Sequence, residues 1–126
     1  MYVLDASALL ALLYREPGSD DIESRLDGSL LSTVNLTEVL QKASAAGLDP
    51  DEILGLIRAM VSIVPFDDAM ALEAARLWRT TKSLGLSLAD RACLALTVQS
   101  NGIAVTTDRD WAQLTLPGVR VHVVQR

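Results

Sequence analysis

Short apolar runs alternate with helix-length segments from one end of this chain to the other, and that alternation constrains the fold more than any single residue does. The first run is Tyr2–Leu4, the next covers residues 30–34, and further runs cover 62–66, Ile103–Thr106 and 119–124. Between them lie segments with helical patterning at 6–14, 20–26, 35–46, 50–61, 69–83 and Leu88–Ser100, with a short one at 110–114. Turn and cap residues punctuate the series. Pro17-Gly18, Asp27-Gly28, Gly47 and Asn101-Gly102 close elements, and Asp49-Pro50 opens one with a cap and a first-turn proline. Strands that alternate with helices imply a mostly parallel sheet of about five strands, flanked by helices on both faces. The reading is therefore an α/β three-layer sandwich. At 126 residues the chain has room for one domain, taken here as residues 1–126, and no internal repeat or linker divides it.

Half of the residues are hydrophobic. The mean hydropathy of +0.29 is high for a soluble protein, which points to well-buried helices or an apolar surface that meets a partner. The apolar run at 6–14 is far short of the roughly 20 residues a membrane span needs. No basic residue precedes it and Asp5 interrupts it, so it does not read as a secretion signal. The expectation is a cytoplasmic protein without membrane attachment. The single cysteine, Cys93, rules out an internal disulfide and lies in an apolar stretch, where a buried thiol is expected. One cysteine and one histidine, His122, do not make a structural zinc site.

The chemistry is carried by carboxylates. In parallel α/β sheets the ligand site lies beyond the carboxyl ends of the strands. Asp5 follows the first strand and Asp108 the fourth, while Glu38 starts the helix after the second. Asp90 opens the apolar helix that leads into the fourth strand, so an antiparallel return brings it to the same edge. Each acid taken alone reads as a cap. Asn35-Leu36-Thr37-Glu38 and Ser87-Leu88-Ala89-Asp90 both look like capping boxes, and Asp5 and Asp108 each precede a helix. Four acids at one edge are a different matter, because their repulsion raises their pKa values unless a cation is present. Oxygen-only donors suit a hard divalent ion, Mg²⁺ above all. Ser7 and Thr106, each two residues from one of the acids, are placed to donate hydrogen bonds to carboxylates or to a phosphate. Asp110 is a further acid beside the site, read either as a fifth acid that binds through water or, by preference, as solvated.

At these residues the sequence resembles the PIN-domain nucleases, and among them the VapC toxins of type II toxin–antitoxin pairs. The resemblance rests on Val3-Leu4-Asp5-Ala6-Ser7, Asn35-Leu36-Thr37-Glu38-Val39, Leu88-Ala89-Asp90-Arg91-Ala92 and Val105-Thr106-Thr107-Asp108-Arg109-Asp110-Trp111, in that order over nearly the whole chain. Trp111 stands where many relatives have Phe. The resemblance implies a PIN-like fold and a Mg²⁺- or Mn²⁺-dependent endoribonuclease with catalytic acids Asp5, Glu38, Asp90 and Asp108. The ligands it implies are Asp5, Asp90 and Asp108, with Asp5 and Asp108 bound directly or through water, Asp90 and Glu38 either completing the site or orienting the attacking water, and Ser7, Thr106 and Asp110 in support. It also implies a homodimer, an RNA substrate cut by water to leave a 5′-phosphate and a 3′-hydroxyl, and a cognate antitoxin.

The formal charge of −5 is unusual for a protein that handles nucleic acid. Setting the four site acids apart from the 16 acidic residues leaves 12 against 11 basic ones, so the rest of the molecule is nearly neutral. Arg76, Arg79 and Lys82 form a basic stripe at helical spacing, read either as a solvated face or as a contact to phosphate backbone. Arg91 and Arg109 adjoin candidate acids. Leu9, Leu10, Leu12 and Leu13 pack a core by default, and any left over form a groove edge for a partner. Two other readings compete. One is a receiver-like phosphoacceptor, for which Asp67 or Asp68 would be labelled. The other is a PIN fold kept as a non-catalytic binding scaffold.

Overall fold

The computed structural model describes residues 1–126. Five strands form one sheet: β1 (Tyr2–Leu4), β2 (Leu30–Ser32), β3 (Ser62–Val64), β4 (Ile103–Thr106) and β5 (Arg120–Val123). Their order is β3-β2-β1-β4-β5 and every pairing is parallel. The helices are α1 (Ala6–Leu13), α2 (Ser19–Glu23), α3 (Thr33–Ala45), α4 (Pro50–Met60), α5 (Asp68–Thr81) and α6 (Leu88–Ser100). Two 3₁₀ turns, Lys82–Leu84 and Arg109–Gln113, complete the set.

Side chains alternate across the sheet, as the pleat requires, and so feed two cores. Leu4, Leu31 and Val105 pack under α1, α2, α3 and α4 with Leu9, Ile22, Val39 and Ile57. Val3 and Ala104 face the other way, onto Met70 and Ala74 of α5, Leu94 and Leu96 of α6, and Trp111. The result is the three-layer sandwich expected. The order also excludes a receiver-type sheet, whose strands run 2-1-3-4-5.

Two strands end two residues earlier than their apolar runs. β2 stops at Ser32 because that hydroxyl accepts from the Val34 amide at 3.2 Å and starts α3 two residues sooner than expected. The reading of Asn35 as a cap, with Glu38 reaching back to its amide, is therefore wrong. Asn35 lies inside the helix and Glu38 in its second turn. β3 stops at Val64 because Pro65 has no amide to continue the ladder. The Phe66 amide instead donates to Thr33 Oγ1 at 3.0 Å. The segment after β4 folds as a 3₁₀ turn rather than an α-helix.

β1 leads outward on one side to β2 and β3, and β4 leads on the other side to β5, so the chain reverses direction between β1 and β4. Such a switch point opens a crevice at the carboxyl ends of the two strands. Asp5 leaves β1 and Thr106 ends β4 at that crevice. No helix of the structure is long and apolar enough to cross a membrane.

Candidate active site

Asp5 is the fixed point of the crevice. Its amide still pairs with the Val105 carbonyl at 3.1 Å, so its backbone is held to β4 while its side chain turns to cap α1. Oδ1 accepts from the Ala8 amide at 2.9 Å and from Ser7 Oγ at 2.7 Å, and Oδ2 accepts from Thr106 Oγ1 at 2.5 Å. The residue is only 5% exposed. Burial pushes its carboxyl up from 3.8 to about 6. The hydrogen bonds from Thr106, Ala8 and Ser7 oppose that rise, and the negative charge of Asp90 adds to it.

From Asp5 a hydrogen-bonded path runs to the exposed rim. Thr106 Oγ1 accepts from the Asp108 amide at 3.0 Å, and Ser7 Oγ accepts from the Thr107 amide at 3.0 Å. Asp108 caps the 3₁₀ turn through Oδ1, which accepts from the Asp110 amide at 2.9 Å. Trp111, fully buried among the α5–α6 core residues, pins that turn to the body of the protein. Asp108 and Asp110 are themselves exposed.

The other side of the crevice comes from α3 and α6. Asp90 and Ser87 form the capping box read from the sequence: Asp90 Oδ2 accepts from the Ser87 amide at 2.9 Å and Ser87 Oγ from the Asp90 amide at 3.1 Å. Glu38 is half-buried, and its Oε1 accepts from Asn35 Nδ2 at 3.1 Å. The same Asn35 amide donates to the Ala89 carbonyl at 3.0 Å, joining α3 to the turn that carries Asp90. Cys93 lies beneath these groups. Burial pushes its thiol well above its usual range, and the charges of Asp5, Asp90 and Glu38 push it further.

Asp5, Asp90 and Glu38 thus share one electrostatic neighbourhood, and Asp108 is tied to Asp5 through Thr106. None of the four forms an ion pair; the molecule's salt bridges involve Glu16, Asp21, Glu23 and Glu73 instead. Arg91, next in sequence to Asp90, donates to the Leu86 carbonyl at 2.9 Å rather than to an acid. As they stand, no three of these side chains lie close enough to enclose a metal ion together. The donor set nevertheless suits a hard cation, being all oxygen and free of competing guanidinium or ammonium groups. Glu38 Oε2, Asp90 Oδ1 and Asp108 Oδ2 have no hydrogen-bond partner, and Asp5 Oδ2 has only one.

The residue that sequence reading misplaced is Asn35. Its partner across the crevice is 54 positions away, a separation no local pattern carries. His122 stays out of the site. Its Nε2 lies 2.7 Å from Asp21 Oδ2 on α2, and Asp21 also pairs with Arg25. Asp67, the residue a receiver would label, caps α5 through the Met70 amide. Of the basic stripe, Arg76 stands 3.9 Å from Glu73 and Lys82 covers the Trp78 ring at 4.9 Å.

The fold and the crevice define a parallel α/β protein with a carboxylate-lined edge at its topological switch point. The sequence matches the PIN domain over residues 2–116, and the chain belongs to the PIN-domain family. No curated protein matches it. Solved structures resemble it over nearly their whole length. VapBC2 from Rickettsia felis, bound to a DNA fragment from its promoter, gives a TM-score of 0.77 at 14% identity, with 98% of each chain covered. VapC20 from Mycobacterium tuberculosis, a sarcin–ricin loop cleaving toxin, gives 0.74 at 16% identity, covering 95% of this chain and 99% of that one. VapBC-5 from the same organism gives 0.68 at 22% identity, with 97% of each chain covered. At these identities the likeness is one of fold.

Proposed function

We propose that the chain is a VapC-type toxin of a type II toxin–antitoxin pair, a metal-dependent endoribonuclease that works in the cytoplasm. The observation that carries the reading is the set of unpaired carboxylates around the β1–β4 crevice, with Asp5 buried and held by three donors. Leaving carboxylates unpaired and partly desolvated is costly, and a divalent cation offsets that cost. Asp5, Asp90 and Asp108 would hold Mg²⁺ or Mn²⁺, which when bound supplies Lewis acidity toward a phosphodiester oxygen and acidifies water.

The chain's own groups do the rest. Ser7, Ala8 and Thr106 fix the Asp5 carboxylate so that its orientation does not have to be found during the reaction. Glu38, anchored through Oε1, keeps Oε2 free to orient an attacking water and receive its proton. Attack by water on the phosphorus leaves a 5′-phosphate and a 3′-hydroxyl. That outcome suits a site whose only histidine is engaged elsewhere, since no base is needed to activate the 2′-hydroxyl. Exposed Leu72, Trp78, Leu84 and Leu88 on the α5–α6 side support a homodimer. The groove of Leu12, Leu13, Leu26, Leu56 and Met60 between α1, α2 and α4 suits an apolar antitoxin segment.

The test is cleavage of cellular RNA by purified protein, with Mg²⁺ and with EDTA, alongside Asp5→Asn. The expected result is cleavage that needs both the ion and Asp5. Cleavage indifferent to both would overturn the reading. Tight antitoxin binding without metal binding would favour the non-catalytic scaffold.

A further inference from the structure

Asn35 is the one amide side chain in the crevice, and it is only 1% exposed. Its Nδ2 donates twice, to Glu38 Oε1 at 3.1 Å and to the Ala89 carbonyl at 3.0 Å. Both of those neighbours are acceptors only, so the amide has one allowed orientation. In that orientation Oδ1 is buried with no hydrogen-bond partner. A buried orphan acceptor destabilises a fold, and an apolar side chain of similar size would avoid it. Nor does Asn35 cap α3, since Ser32 does that. The Ala89 carbonyl lies in the first turn of α6, where the helix ladder already offers it a donor. Neither helix capping nor apolar packing accounts for an amide here.

What the amide does is join an acid on one helix to the backbone beside an acid on another. It holds the Glu38 carboxylate by one oxygen, and it ties α3 to the residue immediately before Asp90. We propose that Asn35 is a positioning residue for the metal site. It sets the separation of Glu38 from Asp90 and aims Glu38 Oε2 into the crevice. The inference rests on the metal-dependent reading of the site and adds to it a specific dependence of metal affinity on a residue that touches no metal.

The experiment is a Mn²⁺ titration by calorimetry without RNA, on wild type, Asn35→Leu, Asn35→Ala, Glu38→Gln and the Asn35→Leu/Glu38→Gln pair, with melting curves for each. Asn35→Leu should weaken Mn²⁺ binding by about tenfold, as the loss of outer-shell partners commonly does. It should melt no lower than wild type, and where RNA is cut, kcat should fall with KM unchanged. In the Glu38→Gln background the same substitution should weaken Mn²⁺ binding by clearly less than it does alone, because one of the two acids it relates is already changed. A folded Asn35→Leu or Asn35→Ala protein with wild-type Mn²⁺ affinity would overturn the proposal. So would an undiminished loss in the double variant, or failure of both single variants to fold, which would make the amide a packing group. Wild-type protein that binds Mn²⁺ but leaves RNA intact would remove the nuclease reading alone. Wild-type protein that binds no Mn²⁺ would remove both.

Discussion

The two acids that leave adjacent strands at the crevice are built in opposite ways. Asp5 is buried, takes three hydrogen bonds and carries a carboxyl raised to about 6. Asp108 is exposed, makes one hydrogen bond to cap a 3₁₀ turn and is tied to Asp5 only through Thr106. The difference separates rigidity from access. The inner end fixes an anion where water does not help to stabilise it, and the outer end leaves an oxygen free beside solvent. Both ends would matter to a site that, as proposed, grips a cation and still admits a polymer.

Asp5→Asn tests the inner end and carries the largest expected effect. Cleavage should drop by about a thousandfold or more if Asp5 is the metal ligand proposed. Stability should move the other way. The folded, metal-free protein holds the Asp5 proton more tightly than the unfolded chain does. The stability this gives is fully present below pH 3.8 and is lost as pH rises through about 6. Above that, the ionised group burdens the fold by about 3 kcal/mol, at 1.36 kcal/mol per pH unit between 3.8 and about 6. In EDTA at pH 7.5, Asp5→Asn should therefore melt above wild type, with the relief of the buried charge offset in part because the new amide group cannot accept from Thr106. Mg²⁺ should raise the melting temperature of wild type and leave the variant unmoved. A variant that melts below wild type in EDTA would mean that the inner carboxylate is not strained.

Asp108→Asn makes the converse test. Asparagine caps about as well as aspartate, and the site is exposed, so the melting temperature should stay within about 1 °C. Cleavage should still fall by about a hundredfold if Oδ2 contacts the ion. A clear rise in melting temperature would show that Asp108 shares the strain of Asp5, and the contrast between the two ends would then fail.

Much of this contrast is legible in the sequence, though not for every residue. The alternation of strand and helix gives the sheet, and the positions of Asp5, Asp90 and Asp108 at helix starts follow from local cap chemistry. The Ser87–Asp90 capping box is read correctly because both partners lie within one turn. Asn35 is misread because Ser32, three residues earlier, offers an equally good cap and wins. The early end of β3 is written in Pro65, but Phe66 finding Thr33 Oγ1 as its acceptor is not, since that contact forms between separate elements. The depth of Asp5 against the exposure of Asp108 is likewise a property of the packed crevice. Both are acids after short apolar strands, and only the layers above them tell them apart.

Thr106→Val cuts the link between the two ends while nearly conserving shape. It takes the donor from Asp5 Oδ2 and the acceptor from the Asp108 amide. The hydrogen bond from Thr106 is the strongest influence holding the Asp5 carboxyl down, so its loss moves that carboxyl further up. The acid limb of the pH–rate profile should shift toward higher pH. At pH 7 the rate should fall by about tenfold, and part of that loss should be recovered by pH 8.5. A uniform loss at every pH would instead mean that Thr106 acts on Asp108 or on substrate rather than on Asp5.

Asp110→Asn is the smallest perturbation and the sharpest limit on the outer end. The Asp110 side chain is exposed and makes no hydrogen bond or ion pair; only its backbone amide is used, by Asp108. Substitutions of that kind stay within about 0.5 kcal/mol, so cleavage and Mn²⁺ affinity should each change by roughly twofold or less. Parallel assays with Asp108→Asn at the same ion concentration make the comparison direct. If Asp110→Asn lost activity on the scale of Asp108→Asn, and higher Mn²⁺ restored it, the rim would hold two working acids. The outer end would then grip the ion through a pair of exposed carboxylates, compensating in number for what it lacks in burial.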